Sequence, residues 1–577
     1  MIVSKAKLKK FQEFNITTKD RYKNRIIGKG SVGGKAKGLF FAKELLDEHW
    51  VNGEVKIVVP ESYFVSTEVF DDFIETNNLA SVIREAESGK ATQETVEKAF
   101  LEGDFHSRWK QEFRKLLSKI HYPLAIRSSS VLEDSIKYAF AGKYLTTYVA
   151  NKGSLDQRLA ALEEAIKRVY ASTYGPNAVI YRKKHRLKGE KMAIIIQKLM
   201  GKERNGCFYP ELAGVGYSRN YRRWTERIKT EDGVIRLVFG LGTRCTERGY
   251  ARIFSLTNPL LRPEGNNNWE IAKYSQESVD AIDMETGKVV SFNINKKLSI
   301  LKNHRLFRDY VQLYSVLQDQ IKGITLLPSK LNRGEKVIFS FTPFDKKYKK
   351  FFQLIRRLFQ LLEKEMGIAV DIEFTYEPED DVFGLIQARP LSSWEHYRKI
   401  PWPQNVLPQN ILLKGDRMLT HGYVENIPYM VYVDHDKYYA TANKHEVARA
   451  IGEINNRLSD TPFVLVGPGR WGSSNPHLGI PVNYSEISNC KVLIELGIKK
   501  QNFVPELSYG THFFADLELE KVLYMPVFDT IETNIINFEW FNSTPFKKTR
   551  HPAIRIYKGP FHVYLDGHEV KGIVLKA

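Results

Sequence analysis

The chain has 577 residues, of which 43% are hydrophobic and 12% aromatic. That supports about three to four domains with large cores and excludes a wholly disordered or collagen-like chain. Lysine and arginine number 86 against 67 acidic residues, a formal net charge of +19, which favours polyanions such as nucleotides, nucleic acid or an anionic membrane as partners. Cys207, Cys245 and Cys490 stand far apart with no CxxC pair. Neither a disulfide framework nor a cysteine-rich zinc site is therefore expected, and a reducing compartment is. The basic start MIVSKAKLKKFQEFN runs into no apolar segment, and the longest apolar runs, such as Met192–Ile196, are far too short to cross a bilayer. A soluble, cytoplasmic protein with no membrane partner is expected.

Residues 1–24 carry many lysines and few apolar anchors and read as a solvated basic arm. GKGSVGGKAKG, Gly28–Gly38, is a glycine-rich loop running into LFFAKELL, which has helical spacing. VKIVVPESYFVST is a short β-rich run broken by Pro60, followed by a helix from Thr67 to Glu75. Residues 82–120 have helical patterning. LAIRSSS, Leu124–Ser130, reads as a buried strand ending in a polar turn, and Leu155–Tyr174 as an amphipathic helix. MAIIIQKLM, Met192–Met200, is the clearest strand, and VIRLVFGLG, Val234–Gly242, is another that stops in glycines. The spacing predicts helix over 296–325 and 348–366. Ile368–Tyr376 and Val382–Gln387 read as strands paired across an acidic turn. The proline- and tryptophan-rich stretch Pro390–Pro408 reads as a linker, with the linker proper at 396–408. Residues 409–577 then form a second unit of short strands and helices, including VLVGPGRWGSS, GTHFFAD and the β-rich tail IRIYKGPFHVYLDG.

Three constellations bear on chemistry. Gly28, Gly30, Gly33 and Gly34 let backbone N–H groups approach an anion, and Lys35 and Lys37 add point charges beside a helix N-terminus. The pattern is neither a Walker loop nor a clean GxGxxG, so a flexible connector and a phosphate site stand level on the loop alone. Arg127 ends an apolar strand and is followed by Ser128, Ser129 and Ser130. A bidentate grip on phosphate and a salt bridge to a structural carboxylate both suit it. Strand alternation puts Asp371 and Glu373 on one face, and Gln387 with Arg389 on the matching face of the next strand. The oxygens of Glu373 and Gln387 are hard ligands suited to Mg²⁺; a plain cross-strand charge pair is the alternative.

Taken in order, GGKAKGL, LAIRSSSVLEDS…FAGKY, MAIIIQKLM, AGVGYSRNY, VFGLGTR and DIEFTYE…LIQARPL resemble the N-terminal nucleotide-binding unit of phosphoenolpyruvate synthase and pyruvate phosphate dikinase, over about residues 25–395. The resemblance implies an α/β (α+β) class chain. An ATP-grasp-like, multi-lobed unit (lobes 25–190 and 191–395) would precede a smaller mixed α/β C-terminal domain at 409–577. It also implies that Lys35 and Arg127 bind ATP phosphates, that Glu373 and Gln387 hold Mg²⁺, and that Arg389 neutralises charge on the transferred phosphoryl group. Gly33, Gly34, Ser128, Ser129 and Gly142 would shape the phosphate loop. The strand about Gln197–Met200 would line an adenine pocket through backbone groups, and Gly240 and Gly242 match the family's GLG turn. Thr243 stands where the family usually has a glutamate.

The complete dikinases add a phosphocarrier histidine domain and a β/α barrel. Some 180 residues follow the linker here, too few for a typical barrel of about 250. His421, in MLTHGYVENIP, lacks the carrier's flanking glycines and alanines and reads as an ordinary histidine. In the tail, Arg470 and Trp471 at the tip of GPGRWGSS suit an anion or a stacked ring; packing of Trp471 is the alternative. His477, His512 and Asp516 make at most a weak metal set. YSRNYRRW, containing Tyr217, Tyr221, Arg222, Arg223 and Trp224, interleaves aromatic and basic residues as nucleic-acid binders do. The expected function is ATP-dependent phosphotransfer, with ATP and Mg²⁺ as cofactors and a small-molecule acceptor, pyruvate by family implication. The alternative is a non-catalytic ATP sensor or nucleic-acid-binding protein that keeps the nucleotide site.

Overall fold

A computed structural model describes residues 5–51, 53, 55–132, 144–184, 186–220, 229–245, 251–262, 267–328, 330–391, 399–459, 461–473, 479–499, 507–508, 514, 517 and 520–577. The chain divides into two compact units, Met1–Arg219 with Asp232–Ser392, and Asn220–Glu231 with Ser393–Ala577. Among the described residues no helix is long and apolar enough to cross a membrane. All three cysteines are buried.

Two sheets build the part of the first unit that matters here. The first runs Ile26–Ile27, Ser62–Val65, Met192–Lys198, Leu124–Ser130, Thr146–Val149. Its centre is the triple-isoleucine strand, buried from Met192 to Gln197, as a near-continuous β-branched run should be. Because this strand pairs with both Ser62–Val65 and Leu124–Ser130, the expected lobe boundary at 190/191 falls inside a single sheet. The second sheet runs Arg252–Ser255, Val234–Phe239, Leu212–Tyr217, Val370–Glu377, Val382–Pro390, Lys56–Val58. Pro60 thus separates two strands that enter different sheets, since proline cannot carry a ladder onward. The helix Lys349–Met366 buries Phe351, Phe352, Ile355, Leu358, Phe359 and Leu362 in the core beneath the second sheet. Helices Thr67–Thr76, Ala80–Ser88, Gln93–Glu102, Ser107–Leu117 and Leu155–Ser172 share a core with the first sheet.

Two expectations fail in this unit. The basic arm is not free, because Lys5–Glu13 is a helix whose Leu8 and Phe11 are buried, with Phe11 edge-on to Phe41 at 5.1 Å. Two apolar residues three apart are enough for a one-sided helix to dock. Residues 296–325 are not helical either. Short 3₁₀ turns lead to antiparallel strands Gln312–Ser315 and Gln320–Gly323, and Glu335–Ile338 pairs beside them. Asp319 reverses the chain at φ 46°, and the Tyr314 hydroxyl donates to its carboxylate at 3.0 Å. The apolar residues repeat at helical spacing, but partners distant in sequence decide the outcome.

The second unit is one mixed sheet. Gly422–Val433, Phe463–Pro468, Cys490–Gly497 and Leu523–Phe528 are parallel neighbours. Helices His435–Ala440 and Lys444–Arg457 make the first crossover, as parallel pairing requires. On its other side Gly422–Val433 pairs antiparallel with the tail strand Ile554–Asp566.

Candidate functional site

The glycine-rich loop opens the helix Gly33–His49, and two of its glycines fix where that helix lies. Gly33 has φ +76°, and a Cβ there would come within 1.8 Å of the Ser129 carbonyl oxygen. Five residues on, and on a different side of the helix, a Cβ on Gly38 would come within 2.2 Å of the Ala388 carbonyl oxygen. The helix is therefore wedged between the first sheet's Leu124–Ser130 strand and the second sheet's Val382–Pro390 strand. The Ser129 hydroxyl donates to the Val32 carbonyl at 2.7 Å and accepts from the Ala36 N–H at 3.2 Å, tying down the first turn. Gly34 lies in that turn. Lys35 Nζ donates to Ser128 Oγ at 2.8 Å. Lys37, two residues along and on another side of the helix, donates instead to the Gln12 carbonyl at 2.7 Å. Of Lys35 and Lys37, Lys35 is the one that reaches the strand bearing Arg127.

Arg127 is buried and joins the two sheets. One terminal nitrogen donates to Gln197 Oε1 at 3.2 Å and to the Ile386 carbonyl at 3.1 Å. The other donates to Gln387 Oε1 at 2.9 Å and to the Glu373 carboxylate. The facing strands pair Asp371 with Arg389 and Glu373 with Gln387, the cross-strand faces that alternation predicts. Arg389 grips Asp371 in a fork, Nε to Oδ1 at 2.8 Å and the terminal nitrogen to Oδ2 at 2.6 Å. Arg127 keeps only 8% of its side-chain surface exposed, whereas Glu373 keeps 41% and Arg389 35%. The carboxylate and Arg389 are thus the members open to a ligand.

Burial would push the Glu373 carboxyl up, but the charges of Arg127, Lys35 and Arg389 outweigh it and hold the group below its ordinary range. Burial likewise disfavours charge on Arg389, yet the carboxylates of Asp371 and Glu373 raise its pKa. These charges favour the anionic form of Glu373 and the cationic form of Arg389, whereas burial raises the Asp371 carboxyl against the pull of Arg389. A single Arg127 nitrogen donates to both Glu373 and Gln387, so their oxygens converge on one positive point. The donor set, a carboxylate and an amide oxygen, suits Mg²⁺, which takes few protein oxygens and completes its shell with water and phosphate, and in this structure Arg127 holds the point they share. Among the described residues no group of three or more His, Cys, Asp or Glu is placed to hold a metal, so a metal here would lean on ligand oxygens.

Other predicted residues fall as follows. Gln197 is buried, and its side-chain amide donates to Ser62 Oγ at 3.3 Å while its oxygen serves Arg127. The backbone about it is already used, with Lys198 N–H given to Glu61 O and Leu199 N–H to Pro123 O. Met200 packs beside Gly384 on the Val382–Pro390 strand. Gly240, at φ +91°, lies against Val279 and Asp280, with its N–H on the Glu211 carbonyl. Gly242 opens the turn in which Thr243 donates to Asp280 Oδ2 at 2.8 Å and Arg244 to Oδ1 at 2.8 Å. Gly142 lies outside the described residues, as do Tyr221–Trp224, His477, His512 and Asp516.

Sequence reasoning missed Tyr148 and did not connect Tyr217 with this cluster. Burial, partly offset by Arg127, pushes the Tyr148 phenol up to about 12, with Glu373 and Asp280 also acting on it. Tyr217 pairs opposite Asp371, which puts it beside this cluster. No motif marks Tyr148, and the motifs that contain Tyr217 say nothing of its pairing with Asp371, which only the register shows. In the second unit, Trp471 is wholly buried in the core and is not at an exposed tip. Its backbone N–H donates to the buried Glu495 carboxylate at 2.9 Å, and Gly467 leaves room for its ring. His421 is buried, and its Nδ1 accepts from the Gly567 N–H at 3.2 Å.

No curated protein matches the chain. The family profile "Pyruvate phosphate dikinase, AMP/ATP-binding domain" matches residues 29–405, a span that takes in every member of the cluster from Lys35 to Arg389. With about two thirds of its length inside that match, the chain belongs to the pyruvate phosphate dikinase AMP/ATP-binding-domain family.

Proposed function

We propose that the chain binds ATP at the Lys35–Arg127–Glu373–Arg389 cluster and transfers a phosphoryl group to a small-molecule acceptor, with pyruvate as the family-implied candidate. The observation that carries this reading is the meeting of Arg127 with Glu373 and Gln387 across two sheets, 246 and 260 residues apart in sequence. Family membership implies ATP binding. Three cations, Lys35, Arg127 and Arg389, gathered with the Asp371 and Glu373 carboxylates and the Gln387 amide exceed what packing requires.

In this reading Lys35 holds the phosphate chain as a point charge, while the buried Arg127, whose fork is spent on Gln197, Gln387 and Glu373, adds its charge from beneath and keeps those groups in place. Glu373 and Gln387 would hold Mg²⁺, which supplies charge neutralisation on the phosphates. Arg389, fixed in direction by Asp371, faces the oxygens where charge accumulates as the acceptor oxygen bonds to phosphorus and the nucleotide oxygen leaves. Such pre-aimed charge is the main catalytic resource in phosphoryl transfer.

The test is to incubate the protein with ATP labelled at the β or the γ phosphate, with and without pyruvate, and to follow the label. Label reaching an acceptor in the wild type and lost in Arg389→Ala supports transfer. ATP binding with no label moved in either protein would reject transfer and leave an ATP-sensing role. Failure to bind ATP at all would reject the site.

A further inference from the structure

The helix Lys349–Met366 has seven exposed positions. Five are Lys349, Lys350, Arg356, Arg357 and Lys364; Gln353 and Gln360 lie between them, and none is acidic. The helix's two glutamates are taken up elsewhere. Glu363 accepts from Arg219 Nε at 2.8 Å and Ser218 Oγ at 2.6 Å, and Glu365 accepts from Lys7 Nζ at 2.9 Å. Lys7 belongs to the docked N-terminal helix, so the lysine-rich segment adds Lys9 and Lys10, both exposed, beside the same face. Glu365 is held low by Lys7, with Lys10 and Lys364 adding to the effect, which places these three lysines around one seam. The two helices together hold nine Lys or Arg against three Glu.

We infer that this two-helix face is an interaction surface for the phosphodiester backbone of a nucleic acid. From Lys349 to Lys364 the stripe is about 22 Å long at 1.5 Å per residue, long enough to follow several consecutive phosphates of a duplex. Lys, Arg and Gln are the side chains that contact phosphate and sugar without reading sequence. A membrane surface fits less well, since an interfacial helix inserts its apolar face. Here Phe351, Ile355, Leu358 and Leu362 are already buried in the unit's core. None of these residues belongs to the ATP cluster, so the inference stands apart from the proposed phosphotransfer.

The experiment uses the full chain and fluorescence anisotropy with labelled 20-base-pair duplex RNA and duplex DNA, from 50 to 200 mM NaCl. The expected result is binding whose log K falls steeply with log salt. The triple variant Lys349→Gln/Arg356→Gln/Lys364→Gln flattens that slope by about 2.7 if each contact contributes ~0.9. A control triple on another face, Lys90→Gln/Lys98→Gln/Lys119→Gln, leaves the slope unchanged, and all three proteins melt alike. The inference is overturned if neither duplex binds at 50 mM NaCl, or if the control triple weakens binding equally. Capture by vesicles of mixed neutral and anionic lipid, with no duplex binding, would also overturn it in favour of a membrane surface.

Discussion

Gly38→Ala tests the geometry of the site without touching any group that carries chemistry. The new Cβ would lie 2.2 Å from the Ala388 carbonyl oxygen, against 3.4 Å or more for ordinary contact, so helix and strand must part by about 1.2 Å. The carbonyl has little freedom to yield, because Ala388 is paired in register with Ile372. Overpacking of this kind costs about 1–3 kcal/mol, and alanine's better helix propensity returns about 1 kcal/mol. The net stability loss is therefore small, about 0–2 kcal/mol. Function should suffer more, since Ala388 lies between Gln387 and Arg389. A displacement near 1 Å costs up to ~100-fold in a positioned reaction. Isothermal titration with ATP, a label-transfer assay and urea denaturation on the same preparation would separate the two effects. A variant more stable than wild type with unchanged ATP affinity and turnover would refute the claim that this helix sets the strand's position.

Arg127→Lys should bind ATP at least ~10-fold more weakly than wild type by titration, because an ammonium cannot reproduce the fork shared among Gln197, Gln387 and Glu373; wild-type affinity would contradict this. Asp371→Ala and Arg389→Ala should be strongly non-additive in label transfer, with a coupling of about 0.5–3 kcal/mol; simple additivity would show that Asp371 does not aim Arg389. In the second unit, burial pushes the Glu495 carboxyl up despite hydrogen bonds from Ser508, Tyr524 and the Trp471 N–H. A raised folded-state pKa means the folded form binds the extra proton. Wild-type stability relative to Glu495→Gln should then rise as pH falls from neutral toward the ordinary carboxyl range near 4.3; a difference flat across that window would count against it. Trp471→Ala should destabilise by about 3–5 kcal/mol in urea, whereas a loss under 1 kcal/mol would return Trp471 to an exposed, ligand-facing role.

Local periodicity carried much of the fold. Alternation alone placed Asp371 with Glu373 and Gln387 with Arg389, and the observed register agrees. The spacing of FFQLIRRLFQLLEKEM marked a helix with one buried side, and three isoleucines marked the middle strand of a sheet. These signals are readable because side-chain direction repeats every 2 or 3.6 residues whatever the chain does elsewhere. The same local rules misled where a distant partner had the casting vote. The 296–325 stretch repeats like a helix but pairs as strands, and the basic arm finds Phe41 to dock against.

By itself, then, the sequence determined the ingredients: a glycine loop with lysines, a strand ending in Arg127, two strands bearing matched carboxylate and amide groups, and the family they resemble. Only the tertiary structure decided that Lys35 and not Lys37 reaches Ser128, that Arg127 bridges to Glu373 and Gln387, and that Tyr148 and Tyr217 join them. The physical reason is that these contacts link segments up to 260 residues apart, and a local period carries no information about which distant face will close over it.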